Sequence, residues 1–391
     1  MPRVPWILAL ILMGCQRADP EVHPGPGSEL SAFAGSGSCL SCHAREAELW
    51  AGSHHDLAMQ PASAGSVLGD FDGATLEHFN STSRFTNLDG EFFVTTLGPD
   101  GGSHAYKVAW VFGVQPLQQY LVEFPGGRLQ TLPTCWDTRP ASEGGQRWFH
   151  IYPDEPIPPG DELHWTGPNQ TWNFMCASCH STGLKKGYDH PSDTYQTTWL
   201  EDDVSCETCH GPARAHVDWA QAGASPTVPN ALAIDLSDAA GGVWEMDPET
   251  GNAVRSVPRS SRAQGETCAR CHSRRSVLHE TPVDGTSFHD NYRLSLLDEG
   301  LYHADGQILD EVYVYGSFLQ SRMHTQGVTC GDCHDPHSSR LLFEGNALCA
   351  QCHLPEKYRS EEHTSELQSR RNLVCRPLPD KKKKTILTSP I

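Results

Sequence analysis

The five residues CETCH, from Cys206 to His210, set two thiols three positions apart and place an imidazole directly after the second. The same pattern recurs as CLSCH at Cys39–His43, CASCH at Cys176–His180, CARCH at Cys268–His272, CGDCH at Cys330–His334 and CAQCH at Cys349–His353. That spacing lets both thiols form thioether bonds to the two vinyl groups of one haem while the adjacent imidazole turns onto the iron. Six covalent c-type haems are therefore expected. They would be attached through Cys39 and Cys42, Cys176 and Cys179, Cys206 and Cys209, Cys268 and Cys271, Cys330 and Cys333, and Cys349 and Cys352. The proximal iron ligands would be His43, His180, His210, His272, His334 and His353. A zinc knuckle or a thioredoxin-like pair also begins with C-x-x-C, but neither calls for a histidine after the second cysteine six times over.

Twelve of the 15 cysteines are thus committed, leaving Cys15, Cys135 and Cys375, so no disulfide framework is expected. Cys135, in LPTCWD, reads as a small buried residue. The opening MPRVPWILALILMGC has one arginine and an apolar run too short to span a bilayer, the pattern of a secretory signal. Leu12-Met13-Gly14-Cys15 resembles a bacterial lipobox, which implies acylation of Cys15 and a lipid anchor. Gln16 follows where an aspartate would mark inner-membrane retention, so a periplasm-facing outer-membrane lipoprotein is expected. Residues 1–15 form this signal, and 16–38, rich in Pro, Gly and Ser, read as a flexible linker.

From Arg359 the chain reads RSEEHTSELQS and ends near four consecutive lysines, Lys381 to Lys384. This string resembles the translation of a sequencing-library adapter running into a poly-A tract. Residues 359–391 are therefore set aside from fold reasoning, with the natural C-terminus expected to be missing. The whole chain carries a formal net charge of −19, and without this basic tail it is more acidic still. Such a surface repels nucleic acid and favours redox partner proteins with basic docking patches.

The haem-binding region should span 39–358. Its first motif interval is 137 residues against 19 to 62 for the others. Within that interval Glu91–Leu97 (EFFVTTL), Tyr106–Val114 and Gln119–Phe124 are rich in β-branched and aromatic residues and bounded by turn sequences. The fold class expected is a multihaem cytochrome c. Short helices and irregular loops would pack around covalent haems, with a β-rich insertion at about 71–165 between the first and second motifs. Helices are expected over Ala44–Met59 and Glu311–Met323. The acidic run Glu201-Asp202-Asp203 reads as a solvated turn.

Three stretches carry a more specific likeness: WAGSHHDLAM at 50–59, VSCETCHGPARAH at 204–216 and YGSFLQSRMHTQGVTCGDCHDPH at 315–337. They resemble the cytochrome c-552/c-554 family of multihaem cytochromes, in particular its large bacterial members that continue into tetratricopeptide repeats. The resemblance implies second iron ligands at His55 (with His54 as its rival), His216, His324 and His337. His164 in LHWTG and His303 in LYHADGQ complete a set of six, with His150 in reserve. A distal histidine often serves a neighbour's haem, so no pairing is assigned.

Three functional readings follow. The first is electron transfer between periplasmic or membrane partners through six bis-histidine haems, which needs no catalytic residue. The alternative is a multihaem oxidoreductase acting on a small nitrogen or sulfur compound at one open haem, with Arg147, His150 or Tyr152 as candidate polar groups. A third class is an adaptor in which the haem domain is a redox module.

Overall fold

A computed structural model describes residues 31–225, 229–279, 285–295 and 297–357. The expected signal and lipobox, most of the linker, Cys15, Cys375 and the tail at 359–391 lie outside the described residues. Among the described residues no helix is long and apolar enough to cross a membrane.

The expected β-rich stretch is a nine-stranded antiparallel sheet. Its strands are β1 (Met59–Pro61), β2 (Asp72–His78), β3 (Ser81–Leu88), β4 (Glu91–Leu97), β5 (Ser103–Phe112), β6 (Leu117–Phe124), β7 (Arg128–Thr131), β8 (Thr134–Asp137) and β9 (Arg147–His150). They run as a meander in the order β2-β3-β4-β5-β6-β8-β9, with β1 on β5 and β7 on β6. Alternation drives this topology: in β4, Phe92, Val94 and Thr96 are buried while their neighbours are not. The β3–β4 hairpin turns through Asp89 and Gly90, both at positive φ (53° and 88°), the Asp-Gly signature of a tight turn that matches strand twist. The two ends of the sheet curl together. Trp148 of β9 stacks on Phe85 of β3 at 3.5 Å, and His150 of β9 stacks on His78 of β2 at 3.6 Å.

Phe71, Phe85, Phe92, Val94, Tyr120, Trp136, Trp148 and Trp165 fill the core between these faces. Each large side chain buried there contributes about 1.5–3 kcal/mol. A second cluster, Met59, Phe112, Leu121, Leu129, Trp172 and Ala177, fastens the sheet to the second motif. There the Asn173 side chain accepts from the Leu129 N–H at 2.7 Å and donates to Thr197 Oγ1 at 2.8 Å. Gly127 is required at this junction: a Cβ on it would lie 2.1 Å from the Tyr195 carbonyl oxygen, and its φ is +72°.

Beyond the sheet the elements are short. Helices of four to eight residues and two-stranded ribbons follow one another from Trp172 onward. Such helices are marginal alone, so their stability must come from what they pack against. Both expected long helices are broken. The first runs only over Ala44–Trp50; the chain leaves it through Gly52 at φ +74°, whose N–H donates to Asp56 Oδ2 at 2.6 Å, and Met59 pairs with Phe112 as strand. The second divides into Tyr315–Leu319 and Arg322–Thr325, where Ser321 accepts from the His324 N–H and caps a new start. Three residues at the linker's end are also docked. Ala34 and Gly35 donate their N–H groups to Glu207, and Ser36 donates to Glu201.

Candidate functional site

The histidines sort by which ring nitrogen is already engaged. His180 Nδ1 donates to the Ala58 carbonyl at 3.0 Å, His216 Nδ1 to the Asn230 carbonyl at 2.6 Å, and His353 Nδ1 to Asn252 Oδ1 at 2.8 Å. His55 Nδ1 lies 3.3 Å from Ser339 Oγ, and His164 Nδ1 lies 2.8 Å from Thr166 Oγ1. Holding Nδ1 on an oxygen turns Nε2 outward as the free lone pair, which is how a metal-binding imidazole is oriented. His78 and His104 are opposite, with Nε2 tied to the Tyr152 carbonyl and to Asp100. His150 Nδ1 accepts the Tyr152 N–H at 3.1 Å, as His164 Nδ1 accepts the Thr166 N–H at 3.4 Å. Burial lowers the pKa of His55, His164, His180, His210 and His272, favouring the neutral form that metals require.

Three pairs of imidazoles then face one another. Ring centres lie 6.2 Å apart for His43 and His216, 6.4 Å for His55 and His272, and 6.5 Å for His210 and His337. An iron bonded at about 2 Å to a nitrogen on either side, with each ring centre about 1.1 Å further out, needs about 6 Å between centres. The residues therefore fit the group that the motifs imply. Each pair joins one motif histidine to one histidine that the family likeness had singled out. His54 is exposed, and His55 is the neighbour that turns toward His272. His324 packs edge-on against Phe318 at 5.5 Å, His303 is exposed, and His164 is buried in a small cavity with His78 and His150. Among the described residues no second imidazole is paired in this way with His180 or His334.

The cysteines report which motifs adjoin. Cys39 hydrogen-bonds to Cys206, Cys179 to Cys271, and Cys268 to Cys330. Cys209 lies within electrostatic reach of Cys268 and Cys271, and Cys333 of Cys349 and Cys352. Motif 4 thus touches motifs 2, 3 and 5, motif 1 extends from motif 3, and motif 6 from motif 5.

Charged groups at these contacts escaped the sequence reading. Glu207, inside CETCH, is 2% exposed and accepts from the N–H groups of Ala34 (2.8 Å), Gly35 (2.7 Å) and Ala213 (2.8 Å). Three N–H donors and no acceptor partner suit a carboxylate, which can only accept. Glu201 accepts from Ser36 N and Oγ and from Ser205 Oγ. The acidic run is therefore a clamp on the segment leading into motif 1, and the solvated-turn reading is corrected. Within the run, burial and then Glu201, Asp56 and Asp202 push Asp203 up to about 7. Asp332, inside CGDCH, pairs with Arg259 at 2.8 Å and accepts from Trp244 Nε1 at 3.0 Å. Arg275 places Nη2 3.8 Å from Cys179 Sγ and lies over the Tyr292 ring at 4.2 Å. The available signal was a charged residue at an x position of C-x-x-C, which marks a side chain forced into a motif contact. Cys135 is buried in β8, and burial raises its thiol pKa, as its apolar setting requires.

The family model described as cytochrome c554 and c-prime matches residues 163–211, and the one described as a doubled CXXCH motif matches 324–358. The fold is similar to the crystal structure of the outer cell wall cytochrome OcwA at TM-score 0.50 and 17% identity, covering 83% of this chain and 68% of that one. An undecahaem cytochrome from the S-layer of Carboxydothermus ferrireducens also aligns, at TM-score 0.39 and 18% identity, over 86% of this chain and 44% of that one. No curated protein sequence matches the chain.

Proposed function

This chain is a multihaem c-type cytochrome of the cytochrome c-552/c-554 family, and from that premise we propose that it carries electrons through six covalently held haems between partner proteins outside the cytoplasm. The observation that carries the reading is the set of three imidazole pairs at 6.2 to 6.5 Å. His43 with His216, His210 with His337, and His272 with His55 would each hold one iron. His164, His303 and His324 are the ligands assigned to the irons of the remaining motifs, without individual pairing. When bound, the haems supply one-electron chemistry. The chain's own residues bring neighbouring motifs into contact, and the paired histidines would close both axial positions of the irons they hold. An iron held by two imidazoles leaves no position for substrate, which favours transfer over catalysis.

Export fits covalent haem attachment, which bacteria complete outside the cytoplasm. The lipobox-like Leu12-Met13-Gly14-Cys15 supports a lipid anchor at Cys15, with the outer membrane as the proposed site. The acidic surface favours partners that dock through basic patches. Intact mass of the matured protein tests the cofactor count: six haem increments are expected, and fewer would remove the reading from at least one motif. Stopped-flow oxidation and reduction tests transfer. Rapid exchange with a basic carrier, slowing as ionic strength rises, is expected; exchange insensitive to salt would exclude the basic partner.

A further inference from the structure

The fixed charges at the motif contacts are not evenly distributed. At the contact of motifs 1 and 3, through Cys39 and Cys206, sit two carboxylates. Glu207 follows Cys206 directly and is buried, and Glu201 reaches Ser36 and Ser205 beside it. Among the described residues no cation forms an ion pair with either. At the contact of motifs 2 and 4, through Cys179 and Cys271, sits the Arg275 guanidinium. It is held by the Tyr292 ring and the Arg270 carbonyl, and no carboxylate among the described residues pairs with it. At motif 5 the two signs meet as the Arg259–Asp332 pair and largely cancel. A charge withdrawn from water acts on its surroundings far more strongly than a solvated one. A carboxylate stabilises the more positive oxidised iron and lowers its potential, and a guanidinium does the reverse.

We propose that these residues grade the chain of haems. Glu207 and Glu201 make the motif 1 and 3 end the low-potential end, and Arg275 makes the motif 2 and 4 contact the high-potential one. Electrons entering at the first therefore run downhill to the second. This rests on the electron-carrier reading and adds a direction to it. Motif 4 touches motifs 2, 3 and 5, so the high-potential contact is also the junction of the path.

Ring orientation gives the three paired haems distinguishable signals. The His55 and His272 planes are twisted by 64°, whereas His43 and His216 differ by 30° and His210 and His337 by 15°. Strongly twisted imidazoles give a low-spin electron paramagnetic resonance signal with a large maximal g value, and near-parallel ones give a rhombic signal. In a redox titration of the full haem-loaded chain, whose other three irons add signals of their own, the large-g signal that His55→Ala abolishes should disappear at higher potential than the rhombic ones that His216→Ala and His337→Ala abolish. Glu207→Gln should move the rhombic components upward and leave the large-g component in place, and Arg275→Gln should move the large-g component downward. If Glu207→Gln fails to take up haem, Glu201→Gln replaces it, and the order of loss of the signals so assigned decides between the outcomes. Rhombic signals lost first, or a Glu207→Gln shift confined to the large-g component, would overturn the proposal. Failure of the carrier reading looks different, because missing haem mass or high-spin signals are visible in the oxidised protein before any titration begins.

Discussion

A single imidazole decides whether each iron is closed, and the chain offers two adjacent ones at His54 and His55. The inward turn of His55, 6.4 Å from His272, predicts that His55→Ala converts one haem to high spin while His54→Ala leaves every haem low-spin. Magnetic circular dichroism of the oxidised variants reads this directly. The motif histidines could be named from the sequence because covalent chemistry dictates their spacing. The distal ones could be named only through likeness, since nothing local distinguishes His216 from His150. Asp203 gives the residue scale a pH dependence. Its folded pKa of about 7 lies above the ordinary carboxylate value, so the native state binds the extra proton between about pH 4 and 7. Stability from this group is therefore fully present below that window and lost as the pH rises through 7. Asp203→Asn should raise the melting temperature at pH 8 and leave it unchanged at pH 4.

At the scale of elements, the sheet and the haem-binding segments owe their stability to different causes. The sheet has its own aromatic core, so Phe85→Ala, which removes the ring stacked on Trp148, should cost about 3–5 kcal/mol in chemical unfolding without altering any haem spectrum. The link between the two regions is polar. Asn173→Ala leaves the buried Leu129 N–H without its acceptor, a loss of about 1–3 kcal/mol, and should loosen the second motif against the sheet in hydrogen exchange. The strand at Glu91–Leu97 was legible to the residue because alternation and turn chemistry are local signals. The helices expected over 44–59 and 311–323 were not, because Gly52 and Ser321 break them to satisfy contacts with Asp56 and His324 that no periodicity encodes.

For the whole molecule, the three imidazole pairs tie together segments far apart in sequence, residue 43 to 216, 55 to 272 and 210 to 337. The region beyond Trp172 is built of short helices and ribbons with a small cluster of Ala269, Phe288, Tyr292 and Tyr315, and on the proposed reading iron bound between the paired histidines would supply the rest of its cohesion. Protein made without haem attachment should consequently keep a protease-resistant fragment around residues 59–150 and lose the rest to rapid cleavage; uniform resistance along the chain would show that the short elements stand without the ties. The central claim is that paired histidines close the irons for electron transfer. Electron paramagnetic resonance of the fully oxidised protein, integrated against a haem count from intact mass, tests it most directly. Six low-spin irons and no high-spin signal are predicted, and a high-spin iron equal to one haem or more that shifts on adding nitrite or hydroxylamine would contradict the account.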